Sequence, residues 1–178
     1  MSVQTEPHKS APNHASDDLA VDVAELGAMV LGRWAEIRTR ARTLCEDPAL
    51  WKIEGQPMAE HRERVLGQLS LLVDAGGVLL SFPESVGGKG NPGGNIANFE
   101  QLVLADPSLQ IKSGVQWGLF GAAVTHLGTE KQHAAWLPGI MSLETPGCFA
   151  MTETGHGSDV ASIATTATYD QESGDFIL

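Results

Sequence analysis

The pattern of apolar residues changes character at Pro146-Gly147 in this 178-residue chain, and that change limits the folds available to it. Before this point, apolar side chains recur at the three- and four-residue spacings of amphipathic helices. After it, segments rich in β-branched residues alternate with glycine-containing turns. We therefore expect an α+β protein, with an all-α N-terminal domain over 16–145 and the start of a β domain over 146–178. Residues 1–15 are polar and predict a disordered N-terminus.

Apolar spacing, together with capping and breaking residues, predicts a series of helices in the first part. Ser16 to Asp18 offer N-caps for a first helix, whose apolar stripe runs from Leu26 to Leu44. The predicted helices run from there to Asp47-Pro48, from Pro57 to Gly76-Gly77, and over 95–105, 108–127 and 129–138. Asp106-Pro107 predicts the N-cap and first residue of the fourth helix, and Thr129 with Gln132 predicts a capping box at the start of the fifth. The helix over 108–127 is apolar nearly all round, which predicts burial on several sides, and its glycines would let neighbours approach closely.

The β part is predicted to hold strands at 148–152, 163–169 and 176–178, with a turn at 170–175. The segment 77–84 could form a further short strand, truncated by Pro83. Because a lone hairpin is marginal in water, the sheet is expected to be completed by a longer gene product or a second chain. An unfinished sheet edge also predicts homo-oligomers, aggregation or partner binding.

Charge and cysteine content exclude several classes of function. The formal net charge of −11 argues against binding to nucleic acid or to an anionic membrane surface. Cys45 and Cys148 are too isolated for a disulfide framework or a cysteine zinc site, and the histidines lack metal-ligand spacing. No apolar run is long enough for a transmembrane helix, and no signal peptide is recognisable. The expected location is the cytoplasm.

Two glycine-rich segments could bind phosphates. Residues 88–93 match G-x-G-x-x-G, but Pro83 cuts short any preceding strand and Pro92 interrupts the loop, so a helix-to-helix loop is favoured over a dinucleotide site. Residues 151–160, MTETGHGSDV, place glycines and hydroxyls in one loop, whose backbone N–H groups could approach phosphate oxygens. From composition alone a plain β-turn with capping hydroxyls is favoured, and His156 is expected to be structural.

The segment GCFAMTETGHGSDV, followed by TTATYD, resembles the flavin-binding motif of the acyl-CoA oxidase branch of the acyl-CoA dehydrogenase superfamily. Further resembling segments occur in the same order: HRERVL (61–66), FPESVGG (82–88), DPSL (106–109) and 114–133. The resemblance implies a helical N-terminal domain, a β-barrel-like middle domain of which 146–178 is the start, and a C-terminal helical bundle. It also implies FAD as cofactor, an acyl-CoA as substrate, and a place in fatty-acid β-oxidation.

The resemblance also implies roles for individual residues. Thr152 corresponds to the threonine that hydrogen-bonds the flavin, and Phe149 and Met151 to strand positions lining it. Gly157 and Ser158 correspond to the loop beside the FAD and CoA phosphates, with Ser158 also contacting the CoA of the substrate. The family's catalytic glutamate lies in the C-terminal bundle, so no catalytic residue is assigned here. The resemblance leaves open the acyl chain length and the choice between oxygen and a flavoprotein as electron acceptor. A catalytically inactive, partner-binding product is the alternative function.

Overall fold

The structure, a computed structural model, describes residues 21–155 and 157–178. The α-helices are α1 (Val23–Leu31), α2 (Ala35–Cys45), α3 (Met58–Asp74), α4 (Pro92–Phe99), α5 (Pro107–Ser113), α6 (Ala122–Leu127) and α7 (Glu130–Met141), with a π-helix at Gly114–Gly121. Short 3₁₀ helices span Gly32–Trp34, Pro48–Leu50, Gly77–Leu80, Glu84–Val86, Leu102–Leu104 and Val160–Ser162. The strands β1 (Thr168–Tyr169) and β2 (Phe176–Ile177) pair antiparallel. This order confirms the predicted fold class: helices first, then strands.

A single apolar cluster holds the helices together, and it lies entirely before residue 142 within the described residues. Its fully buried side chains come from sequentially distant elements, among them Leu50, Leu69, Phe82, Leu109 and Leu137. Each such side chain contributes roughly 1.5–3 kcal/mol when it is removed from water. The core therefore fixes the helical part, whereas the segment from 148 to 178 contributes no buried side chain among its described residues.

Local capping signals behave as the sequence predicts. Asp106 is the N-cap of α5 and accepts a hydrogen bond of 2.7 Å from the backbone N–H of Ser108, with Pro107 at the first helical position. Thr129 and Gln132 form a reciprocal capping box at the start of α7. These bonds satisfy N–H groups that have no partner inside the helix.

The first predicted helix is broken in the structure. The stripe from Leu26 to Leu44 was expected on one helix, but α1 and α2 are separated at Gly32, whose φ of +58° is left-handed. Glycine adopts this conformation without the steric cost that other residues incur. Leu26 and Val30 are consequently exposed, whereas Ala41 is buried. The proposed caps at 16–18 lie outside the described residues, as does the predicted disordered segment 1–15.

Other helix boundaries also depart from the predictions. The segment Gly77–Leu80 is a 3₁₀ helix rather than a strand. The next helix starts early, at Pro92, because Asn91 caps it through the N–H of Gly94, and it ends at Phe99 rather than near 105. Helix α7 continues through Pro138 to Met141 because Ile140 and Met141 are buried in the core. Burial of the following turn outweighs the one backbone hydrogen bond that proline cannot donate.

The long apolar helix forms as a continuous helical stretch from Pro107 to Leu127, with π geometry in its middle. Its burial is less extensive than the predicted burial on several sides: Leu109 and Trp117 are buried, whereas Ile111 and Leu119 are 65% and 43% exposed. The close approach predicted at its glycines is present at Gly121, where a Cβ would lie 2.9 Å from Cζ of Phe82.

The predicted strand at 148–152 is absent, and of the strand predicted at 163–169 only 168–169 forms, paired with 176–177. Glu153 forms an isolated β-bridge. The reason lies partly in Glu153, whose carboxylate accepts the backbone N–H groups of Ala164 and Thr165. A neighbouring strand would otherwise accept such groups. The predicted turn at 170–175 is present, closed by the N–H of Gly174 donating to the carbonyl of Asp170 over 2.9 Å.

Candidate functional site

A buried glutamine anchors the segment that leaves the helical part. Gln116 lies in the π-helix and is only 4% exposed. Its Oε1 accepts the N–H of Gly147 over 2.8 Å, and its Nε2 donates to the carbonyl of Thr145 over 3.0 Å. A Cβ on Gly147 would lie 2.0 Å from the ring of Phe120, so the chain passes closer to this helix than any other residue would permit. The two hydrogen bonds from Gln116 fix where the following segment begins. We call this pair of bonds the Gln116 latch.

The predicted site residues follow directly after this latch, and all of them are exposed. Phe149 and Met151 are 40% and 41% exposed, and Thr152 and Ser158 are also exposed. Thr152 and Gly157 are neighbours in space, since a Cβ built on Gly157 would contact Cγ2 of Thr152 at 3.7 Å. The structure thus brings Thr152 close to the bend at 157–158, which we call the Gly157 turn. His156 lies outside the described residues.

The side chain of Glu153 joins the residues that follow Thr152 to residues 164 and 165. Its carboxylate accepts hydrogen bonds from the N–H of Ala164 at 3.1 Å, from the N–H of Thr165 at 2.7 Å, and from the Thr165 hydroxyl. The Thr165 hydroxyl and these amides hold the pKa of Glu153 below its ordinary value. Donors that favour the charged form lower a carboxyl pKa in this way. At neutral pH the group is therefore a carboxylate.

An apolar cleft of about 770 Å³ opens beside the π-helix, between α2, α4 and the π-helix. Its apolar lining includes Ile37, Leu44, Ile96, Phe99, Val115 and Leu119. Gly118 lies on this surface with open space around it, since a Cβ there would meet nothing within 4 Å. Arg40, Lys89 and Asn91 add polar groups to the lining. Two exposed apolar residues of the long helix, Ile111 and Leu119, line this cleft. We call it the π-helix cleft.

A buried ion pair lies at the start of the long helical stretch from Pro107 to Leu127. Arg64 of α3 donates to the carboxylate of Asp106 over 2.9 Å, and Asp106 is fully buried. Burial by itself raises the pKa of Asp106, but the hydrogen bonds from Arg64 and from the N–H of Ser108 outweigh it, and the pKa is lowered overall. Arg64 also donates to the carbonyl of Trp51 and to Gln56, so its charge is well compensated.

Sequence reasoning missed three of these features. The Gln116 latch, the Glu153 bridge and the Arg64–Asp106 pair each join residues far apart in the chain. A polar residue inside an otherwise apolar helix was the available signal for Gln116, since such a group is normally hydrogen-bonded when buried. Nothing in the local sequence marks Ala164 and Thr165 as partners of Glu153.

The comparisons with known proteins agree with this architecture. Residues 35–144 match the family model described as acyl-CoA dehydrogenase, N-terminal domain. The chain belongs to the acyl-CoA dehydrogenase family. The matched range contains the π-helix and the cleft, and it ends just before the exposed segment with Thr152.

Relatives of this family member are acyl-CoA oxidases. The chain is 39% identical over 124 residues to acyl-coenzyme A oxidase 2, peroxisomal, of Arabidopsis thaliana, covering 67% of this chain and 17% of that protein. It is 51% identical over 76 residues to an acyl-coenzyme A oxidase of Candida glabrata, covering 41% and 10%. It is 42% identical over 83 residues to acyl-coenzyme A oxidase 3, peroxisomal, of Arabidopsis thaliana, covering 47% and 12%.

The match spans less than a fifth of the length of each of these relatives. No solved structure matches the chain significantly. In the part of the chain that the structure describes, no helix is both long and apolar enough to cross a membrane.

Proposed function

We propose that this chain forms the N-terminal part of a flavin-dependent acyl-CoA oxidase, which carries out α,β-dehydrogenation of acyl-CoA thioesters in fatty-acid β-oxidation. The family assignment and the oxidase relatives support the reaction class. The observation that carries the proposal is structural. The helical part ends at the Gln116 latch, and in the segment after it Thr152 is exposed and Gly157 lies beside it, which supports a ligand site there.

The residues of this segment fit FAD in two respects. Exposed hydroxyls on Thr152 and Ser158 are suitable partners for the polar edge of a flavin and for phosphate oxygens. The absence of a side chain at Gly157 leaves space beside Thr152 that a Cβ would fill. We propose that Thr152 hydrogen-bonds the flavin, that Phe149 and Met151 lie against its ring, and that Gly157 and Ser158 lie near the phosphates. A bound FAD would supply the two-electron acceptor for the dehydrogenation.

We propose the π-helix cleft as the place for the acyl chain of the substrate. An acyl chain needs apolar walls, which Phe99, Val115 and Leu119 offer. In this arrangement Ser158 contributes to binding of the CoA portion. The chain's own residues therefore bind and orient cofactor and substrate.

No residue of this chain is proposed as the base that removes the α-proton. The Glu153 carboxylate holds the Ala164 and Thr165 amides, and Glu144 lies on the connection between α7 and the latch. We propose that the base comes from further polypeptide, either a longer product or a complementing chain.

Reduction of the flavin by substrate tests this function. The chain is reconstituted with FAD and with the remaining part of an acyl-CoA oxidase, and acyl-CoA thioesters of short, medium and long chain length are added without oxygen. We expect the flavin absorbance near its long-wavelength maximum to bleach with at least one thioester. Bound FAD that bleaches with none of them would contradict the proposal. Readmitting oxygen and assaying hydrogen peroxide identifies oxidase activity.

Exposed apolar residues favour partner binding as a second candidate function. Tyr169, Phe176, Ile177 and Leu178 are all more than half exposed around the hairpin, and Ile96 and Ile111 are 65% exposed beside the cleft. Contiguous exposed apolar surface commonly marks an interaction site. We expect the purified chain to be oligomeric or to bind a complementing polypeptide. Size-exclusion chromatography with light scattering measures the oligomeric state, and thermal unfolding measures cooperativity. A monomer that melts cooperatively would contradict this second function.

The proposed location remains the cytoplasm. Two of the oxidase relatives carry the word peroxisomal in their names, which concerns those proteins. Fractionation of cells expressing the tagged full-length protein separates the two locations.

A further inference from the structure

The segment after the Gln116 latch keeps its shape without burial. Within residues 148–155 and 157–178, no side chain is buried, and the backbone pairing consists of the two-residue strands β1 and β2 and an isolated bridge at Glu153. The hydrophobic effect, which holds the helical part together, therefore acts weakly here. Another interaction must account for the loop that carries Thr152, Gly157 and Ser158.

Glu153 provides that interaction. Its carboxylate reaches across 11 and 12 residues to accept the amides of Ala164 and Thr165, and it also accepts the Thr165 hydroxyl. These bonds close a loop from 153 to 165 that contains the Gly157 turn. Hydrogen bonds to an ionised group are about twice as strong as those between neutral groups. Within the described residues 148–178, no other side chain accepts from a backbone N–H more than ten residues away.

The position of Glu153 couples this closure to the candidate site. Glu153 is the immediate neighbour of Thr152, so fixing its carboxylate restrains the backbone that carries Thr152. Gly157 lies within the same closed loop and beside Thr152, since a Cβ built on Gly157 would lie 3.7 Å from the Thr152 methyl. Without this closure, the loop would gain the conformational freedom that binding a ligand must then remove.

We propose that Glu153 is a positioning residue: its carboxylate closes the 153–165 loop and thereby preorganises Thr152, Gly157 and Ser158. The part of this inference that concerns the ligand rests on the proposed function, with FAD as the molecule bound. Glu153 touches neither cofactor nor substrate in this role. It explains why an acidic residue follows the flavin-contacting threonine without serving as the catalytic base.

Amide hydrogen exchange of the full chain tests the closure, and a fluorescence titration with FAD tests its consequence. The variant Glu153→Gln keeps the size of the side chain and removes its charge, and Glu153→Asp keeps the charge on a shorter side chain. Glu144→Gln is the matched control, because Glu144 is exposed and lies outside the loop. Tryptophan fluorescence during unfolding shows that the helical core is intact in every variant.

We expect Glu153→Gln to speed exchange at Ala164 and Thr165 by tenfold or more and to weaken FAD binding by about tenfold. We expect Glu153→Asp to restore part of both properties and Glu144→Gln to change neither. Unchanged exchange in Glu153→Gln would overturn the proposal, as would faster exchange with an unchanged FAD dissociation constant. If the unaltered chain fails to bind FAD, the proposed function fails, and the exchange rates then decide the loop closure separately.

Discussion

Removal of the Asp106 carboxylate is expected to destabilise the helical part more than the loss of an ordinary helix cap. Asp106 is fully buried, caps α5 and pairs with Arg64 over 2.9 Å. Asp106→Ala loses the cap, which costs about 1 kcal/mol. It also leaves the Arg64 charge without its acid partner, for which the expected cost lies near the lower end of about 3–5 kcal/mol. The lower end applies because Arg64 keeps its bonds to Trp51 and Gln56.

The expected loss is therefore about 4 kcal/mol for Asp106→Ala. For Asp106→Asn, which retains an oxygen that can cap α5, we expect about 3 kcal/mol. These values are a large share of the roughly 5–15 kcal/mol that stabilises a typical domain. Urea unfolding followed by tryptophan fluorescence measures them, because Trp117 is buried in the core. The control is Asp47→Ala, since Asp47 caps the 3₁₀ helix at Pro48–Leu50 through the N–H of Ala49 and makes no ion pair in the described structure.

Equal losses in Asp106→Ala and Asp47→Ala would refute this reasoning.

The pH dependence of stability provides a second check. The folded-state pKa of Asp106 is lowered relative to its ordinary value. The contribution of the Arg64–Asp106 pair to the free energy of unfolding is therefore fully present above the unfolded-state pKa, near pH 4. It is lost as the pH falls through the lower folded-state pKa. Asp106→Asn should lose less stability than the unaltered chain over that acid range.

Two further substitutions test the latch and the cleft. Gln116→Leu removes the acceptor of the Gly147 N–H, so we expect a loss of about 1–2 kcal/mol in unfolding free energy and faster amide exchange at Gly147. Gln110→Leu, which loses one bond of 3.2 Å to the Phe99 carbonyl, should leave Gly147 exchange unchanged. Gly118→Leu places a side chain in the open space of the cleft and should weaken binding of a fluorescent acyl-CoA about tenfold or more. Gly67→Leu, also in open space but on the exposed face of α3, should leave that binding unchanged; equal effects of the two leucines would count against the cleft as the acyl site.

The helical part was largely predictable because its signals are local. The cap at Asp106, the capping box at Thr129 and the apolar spacing of α3 each lie within a few residues of what they determine. The break at Gly32 and the continuation of α7 through Pro138 were not predictable in this way. Both depend on which side chains the rest of the fold buries.

The candidate site shows where local reasoning ends. The glycines and hydroxyls around Thr152 indicated a ligand loop, but the carboxylate that closes it meets amides 11 and 12 residues later. Likewise, Asp106 was predicted as a cap, while its partner Arg64 lies 42 residues away in the chain. The β-branched residues at 163–169 predicted a strand, but only 168–169 forms one, and Glu153 accepts the amides of Ala164 and Thr165 in place of a neighbouring strand.

Titration of the full chain with FAD, for Thr152 and its variants, tests the central claim most directly. Loss of one neutral hydrogen bond of about 0.5–1.5 kcal/mol corresponds to roughly a two- to tenfold change in affinity. We predict saturable quenching of flavin fluorescence by the unaltered chain, weakened by that factor in Thr152→Ala and restored in Thr152→Ser. Thr43→Ala, at an exposed threonine of α2 far from this segment in the sequence, should bind like the unaltered chain. Quenching that does not saturate, or that is as strong in Thr152→Ala as in the unaltered chain, would contradict the account.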